Sequence, residues 1–246
     1  MSTALQARNR PVQPPRAARA SERPDRRLAI LLTAEKMFSE RGYHGVSIRQ
    51  IAEQAGVPLA LVGYYFGTKP ALFRAIFERW SSTIEERLAR LRETEREPWD
   101  GGKLERIIEA FVVPVIAMRA SPEGEYYALL MTQGISPPIE EVSQVIGDFF
   151  DPMAQAFIQA LHTTLAHETP AITRATVAWC YQFALGALLH HIADVRVEAL
   201  SLHNTRANDP SAAPLLVAFI VQGIRGAVAQ LHPFPPSSKP PKRRPA

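Results

Sequence analysis

The chain has 246 residues, 46% of them hydrophobic and 21% charged, and a single cysteine, Cys180. That length can bury a substantial core, and one cysteine excludes an internal disulfide framework and fits a reducing, cytoplasmic compartment. The net charge of +4 is unevenly placed: +5 over residues 1–27, +1 over 28–72, −6 over 73–232 and +4 over 233–246. Basic ends on an acidic body suit DNA contact at one pole and solubility at the other.

Residues 1–24 are rich in Arg, Pro and Ala, with no acid before Glu22. They are expected to form a disordered basic arm beside a DNA-binding unit. A solvated tail without a role is the alternative. An Arg-rich targeting peptide fits less well, because the segment has no clear apolar face and carries Pro11, Pro14 and Pro15.

The stretch VSIRQIAEQAGVPLALVGYYFGTKP at 46–70 reads as a helix-turn-helix. Ser47 is placed to cap a helix whose apolar face is Ile48, Ile51, Ala52 and Ala55. Gly56 stands where the turn needs positive φ, Val57 follows as a buried anchor, and Pro58 opens the second helix at its first turn. Val62 and Tyr65 are expected to form the inner face of that helix. Such a unit places one short helix in the DNA major groove. The alternative is an ordinary corner between two helices of a helical protein.

The run from Arg27 to Trp80 resembles the N-terminal domain of TetR-family transcription regulators. The residues that carry the resemblance are ILLTAEKMFSERGYHGVSIRQIAEQAGV and YYFGTKPALFRAIFERW. It implies a first helix with Ala34 and Phe38 on one face, ended at Gly42. Ser47 would bind phosphate, Arg49 would face the groove, and Pro58, Leu59, Ala60, Leu61 and Gly63 would be the exposed reading face. Tyr64 and Tyr65 would supply a phenol to the DNA backbone and a ring to the core. Lys69 would meet a phosphate beside its Thr68 cap. The reading face departs from the family pattern, because it offers almost no hydrogen-bonding side chain to base edges. Thymine methyl contacts, Arg49, the tyrosine hydroxyls and DNA shape are left to carry specificity.

From Leu72 to Leu231 the chain reads as helices throughout, near 70–97, 103–119, 123–135, 138–166, 171–200 and 212–231. Pro98, Gly101–Gly102, Pro122, Pro137–Pro138 and Pro170 punctuate them. Pro114 and Pro152 fall inside helical patterns and predict kinks or breaks. Ala175 to Ala193 carries no charge, so its helix should be buried on all sides. Thr176, Gln182, His190 and His191 within it argue against a membrane span.

The family resemblance, extended more weakly by FALGALLHHIADVRVEAL at 183–200, implies a homodimer. Leu188 and the final-helix residues Leu216, Phe219, Ile220, Gly223, Gly226 and Ala227 are the interface candidates. An effector cavity is expected among Phe111, Met118, Tyr127, Met131, Phe150, Met153, Phe157, Trp179 and Phe183, with Tyr181, Gln182 and His190 as polar handles. For any one of these residues, plain core packing is the competing reading.

No metal site is expected. His190 and Asp194 share a helix face, but no third ligand joins them in sequence. No catalytic motif is present, and the acids of residues 85–97 alternate with arginines as surface pairs do. The expected architecture is all-α. It comprises a basic arm (1–24), a helix-turn-helix domain (25–72), an effector-binding and dimerisation domain (73–232) and a Pro-rich basic tail (233–246). The expected partners are double-stranded operator DNA, a small-molecule effector and a second copy of the chain, with no cofactor and no membrane. The function read from this is a repressor released from a palindromic operator by an apolar or aromatic effector. A non-specific DNA-compacting protein that uses the basic tails, and a helical small-molecule-binding or enzymatic domain, are the alternatives.

Overall fold

The computed structural model describes residues 25–133 and 140–230. The arm at 1–24, the tail at 233–246 and the Pro137–Pro138 break lie outside the described residues. All regular structure among the described residues is helical.

Helix α1, Arg26–Arg41, starts where the Asp25 carboxylate accepts from the backbone N–H groups of Arg27 and Leu28, at 3.0 and 3.2 Å. It ends at Gly42, whose φ is +74° and whose N–H donates to the Phe38 carbonyl. Helix α2, Ile48–Gln54, carries a full capping box: the Ser47 hydroxyl accepts from Gln50 N, and the Gln50 side chain accepts from Ser47 N at 2.8 Å. Such a cap contributes about 1 kcal/mol. Gly56 adopts φ +65°. Its N–H donates to the Glu53 carbonyl and that of Val57 to Ala52, which is the two-bond C-terminal closure that favours glycine.

Helix α3 is Leu59–Phe66. Pro58 precedes it as the capping residue rather than standing in its first turn. Val57 is only half-buried. The inner face is Val62 and Phe66, whereas Tyr65 is exposed. The ring given to the core therefore comes from Phe66 and not from Tyr65.

Helix α4, Lys69–Arg79, and helix α5, Ser81–Arg96, are separated at Trp80, where one helix over 70–97 was expected. The buried carboxylate of Glu35 on α1 fixes this junction. It accepts from Arg79 Nη1 and Trp80 Nε1, each at 3.1 Å. Burial pushes the Glu35 carboxyl pKa up, opposed by the Arg79 charge and both hydrogen bonds. Leu72, Phe73, Ala75, Ile76 and Phe77 of α4 all pack in the N-terminal core, so the expected boundary at 72/73 cuts through that helix. Tyr127, Leu130, Val142 and Val145 join the same core.

The rest of the chain forms α6 (Lys103–Ala120), α7 (Glu125–Thr132), α8 (Glu140–Glu168), α9 (Arg174–Ala193), α10 (Val197–Leu200) and α11 (Ala213–Ala229), the last preceded by a 3₁₀ turn at Pro210–Ala212. Pro114 and Pro152 sit inside α6 and α8, which run through them without a break. The expected 171–200 helix stops at Ala193, where Asp194 leaves helical geometry. A second core joins α5, α6, α8, α9 and α11. Among the described residues, Pro210–Ala229 is the one segment long and apolar enough to cross a membrane, and only a third of it is buried.

Candidate nucleic-acid interface and effector cavity

Helix α3 presents Leu59, Ala60, Gly63 and Tyr64 to solvent, and Tyr64 is 80% exposed. Pro58 is exposed beside them, whereas Leu61 turns partly inward against the core. Arg49 stands outside α2, held loosely by Glu53 at 3.7 Å. Thr68 caps α4 by accepting from Ala71 N, Pro70 has no N–H, and Leu72 N donates to the Thr68 carbonyl, so of the first-turn amides only that of Lys69 is left for a phosphate. Lys69 lies in that turn, half-buried, with its ammonium 4.3 Å from the Tyr43 ring centroid. Desolvation pulls its pKa down, and Glu141 opposes this. The Arg27 guanidinium, which sequence reasoning did not single out, lies 5.1 Å from the Phe66 ring.

A cavity of about 410 Å³ opens between α5, α6, α7, α8 and α9, within the size range of small-molecule sites. Of the twelve expected ligand residues, Met131, Phe150, Met153, Tyr181 and Gln182 line it. Phe111, Tyr127 and Phe157 are fully buried core residues, and Met118 is wedged between the two cores. Trp179, Phe183 and His190 point outward from α9. His190 instead pairs with Asp194 at 3.3 Å. Sequence reasoning missed Arg87, Val115, Ile146, Leu185 and Leu189 in the lining. The helical period alone places Arg87 inward: on α5 it falls three residues after Ile84 and four before Leu91, and all three are buried.

The other side of α9 builds a second apolar surface. Trp179 and Phe183 are exposed there, and Leu215 and Phe219 are exposed on α11. A groove of about 200 Å³ between the two helices is lined by Phe183, Ala187, Phe219, Gly223 and Ala227. Of the expected interface residues, Phe219, Gly223, Gly226 and Ala227 lie on this exposed face. Ile220 is buried in the subunit, Leu216 is half-buried, and Leu188 is buried in the cavity wall. Helix α9 is therefore apolar on all sides but not buried on all sides.

The two sites share a set of packed side chains. Trp80 stacks on Tyr127 with ring centroids 5.1 Å apart and planes at 10°, and Trp80 also holds Glu35 on α1. Phe77 carries the packing on to the cavity wall: its ring centroid lies 5.5 Å from that of Tyr127 and 6.2 Å from that of Phe150, which lines the cavity.

Two family models match this chain. Residues 30–76 fit the model described as bacterial regulatory proteins, tetR family, and residues 109–223 fit the tetracyclin repressor-like C-terminal domain. The regulator RutR of Escherichia coli is 45% identical over 51 residues, which are 21% of this chain and 24% of that protein. The transcriptional activator FasR of Mycolicibacterium smegmatis is 35% identical over 57 residues, 23% of this chain and 26% of its own length. The chain thus spans about a quarter of the length of these curated relatives. Among solved structures, the fatty acid degradation regulator FadR from Bacillus halodurans superposes with a TM-score of 0.57 at 15% identity, covering 83% of this chain and 99% of the other. FadR from Bacillus subtilis, solved with stearoyl-CoA, gives 0.55 at 16% identity, with 83% and 99% covered. At such identities the likeness is one of fold. With an N-terminal match over the helix-turn-helix and a C-terminal match over the body that holds the cavity, the chain belongs to the TetR family of bacterial regulatory proteins.

Proposed function

We propose that this chain is a cytoplasmic, homodimeric DNA-binding transcription regulator, a repressor that an apolar or aromatic small molecule releases from a palindromic operator. The observation that carries the reading is the pairing of two features in one chain. One is an exposed α3 set on a capped α2 and a glycine turn; the other is a cavity of about 410 Å³ behind it.

In the dimer, α9 and α11 of each subunit pack through the face bearing Phe183, Phe219, Gly223 and Gly226, forming four helices. Two α3 helices then stand about 34–36 Å apart and enter successive major grooves. Leu59 and Ala60 offer apolar contact to thymine methyls, while Arg49, Tyr64 and Lys69 take the DNA backbone. A molecule in the cavity presses on Met131 and its helix α7. Helix α7 bears on Trp80 through Tyr127, and Trp80 bears on α1 through Glu35. The effector favours a dimer whose α3 spacing DNA does not accept, and DNA weakens effector binding by the same factor. FasR, named an activator, has a related N-terminal region, so the sign of regulation is a separate question from DNA binding.

Arg49→Ala with Lys69→Ala tests the reading. If each residue neutralises one phosphate, the slope of log K against log salt on the cognate DNA becomes shallower by about 1.8, with the melting temperature checked in parallel. An unchanged slope in a folded double variant contradicts the proposed interface.

A further inference from the structure

Arg87 stands in the cavity wall, 4% exposed. Its guanidinium carbon lies 4.8 Å from the Phe111 ring centroid and 5.9 Å from that of Phe157, so the two rings hold the cation from their faces. Its Nε and Nη2 are buried with no hydrogen-bond acceptor. Among the described residues, no carboxylate pairs with it. The titratable groups that face it are the phenols of Tyr181 and Tyr127. Burial raises both phenol pKa values, that of Tyr181 to about 12, so both are neutral at pH 7.

A buried cation without a partner is strongly unfavourable in a folded protein. Burial pulls the Arg87 pKa down to about 10, which still leaves it charged at neutral pH. We propose that Arg87 anchors a carboxylate at the head of an otherwise apolar effector. This deepens the effector-site reading above and rests on it. Nε and Nη2 form the side-on fork of the guanidinium, two parallel N–H donors matched to the two oxygens of one carboxylate; both are sealed off in the ligand-free chain, so the carboxylate meets them as the Arg87 side chain turns toward the cavity. Around that point, Val115, Ile146, Leu185 and Leu189 supply an apolar wall for the body of the molecule. An anionic head neutralises Arg87 and fills its empty donors, which a neutral apolar compound of the same shape does not.

Calorimetric titration of the full chain with three matched pairs tests this: hexanoate against 1-hexanol, decanoate against 1-decanol, and 4-phenylbutyrate against 4-phenylbutanol. At least one acid binds roughly tenfold or more tightly than its alcohol, the scale of a charged hydrogen-bonded pair. Arg87→Met erases that preference. Without ligand it melts no lower than the parent, because it removes an uncompensated charge. Arg87→Lys, which keeps the charge and loses the fork, weakens the acid and leaves the alcohol unchanged. Equal binding of every acid and its alcohol overturns the anchor, as does a preference that survives Arg87→Met, or binding of none of the six. Footprinting of the same preparation on operator DNA separates the two readings. Intact DNA binding with no preference for acids leaves the regulator standing and removes only the carboxylate.

Discussion

In the helix-turn-helix, polar groups at the helix ends find partners within a few residues. Ser47 and Gln50 bond reciprocally, Gly56 and Val57 close the end of α2, and Thr68 caps α4. In the cavity region the reverse holds, for Arg87 and Tyr127 keep buried polar atoms unpaired. A unit satisfied by its own neighbours folds to one rigid shape, as a DNA-reading helix requires. A region left with unmet polar groups gains most from a ligand that supplies them, and violations of local rules concentrate where function lies. The same contrast appears on α9. One side closes the cavity with Tyr181 and Leu188, and the other leaves Trp179 and Phe183 to solvent in the single chain.

The contrast breaks first at the outer face. Phe219→Arg places a charge in the middle of the proposed dimer seam while remaining solvated in the monomer, where Phe219 is 69% exposed. Sedimentation equilibrium is expected to show a dimer for the parent and a monomer for the variant, with helix content unchanged. A monomeric parent would remove the interface from the account.

Phe73→Ala acts on the DNA-binding unit itself. Phe73 is fully buried against Phe38, Tyr43 and Phe77, so its truncation costs about 3–5 kcal/mol, measured by urea unfolding. DNA binding is lost with it. Carboxylate binding in the cavity is retained wherever the C-terminal body stays folded, which measures how separately the two regions stand.

Gly56→Ala is smaller. At φ +65° a Cβ costs about 1–2 kcal/mol, although the site has open space around it. The expected loss in unfolding free energy therefore comes from backbone strain alone. A neutral result would mean the turn relaxes to another conformation.

The legibility of the two regions follows from the range of the forces that shape them. Caps and the glycine turn act over three to five residues, so Ser47 and Gly56 were readable directly, while Gly42 and Thr68 came through the family resemblance. In α3, Tyr65 and Phe66 stand three and four residues after Val62, and both spacings fit a helix face. Packing among α1, α3 and α4 decides for Phe66, and a two-turn helix carries too little pattern to show it. In α9 the absence of charge announces an apolar helix without saying which residues meet the cavity, so Trp179 and Phe183 were expected inside and Leu188 outside. Arg87 was hidden by its type, for it sits among the acids and arginines of α5 that read as surface pairs. The helix break at Trp80 carries no glycine or proline signal, because it is held by Glu35, 45 residues away in sequence.

The claim at the centre of the account is that a dimer of this chain reads DNA through two α3 helices. Hydroxyl-radical footprinting of the full chain on the intergenic DNA flanking its own gene tests it most directly. Two protected half-sites are expected, with centres one helical turn, about 10 bp, or a small multiple apart, and both are lost with Arg49→Ala and Lys69→Ala together. No protection, or uniform protection indifferent to sequence, would contradict it.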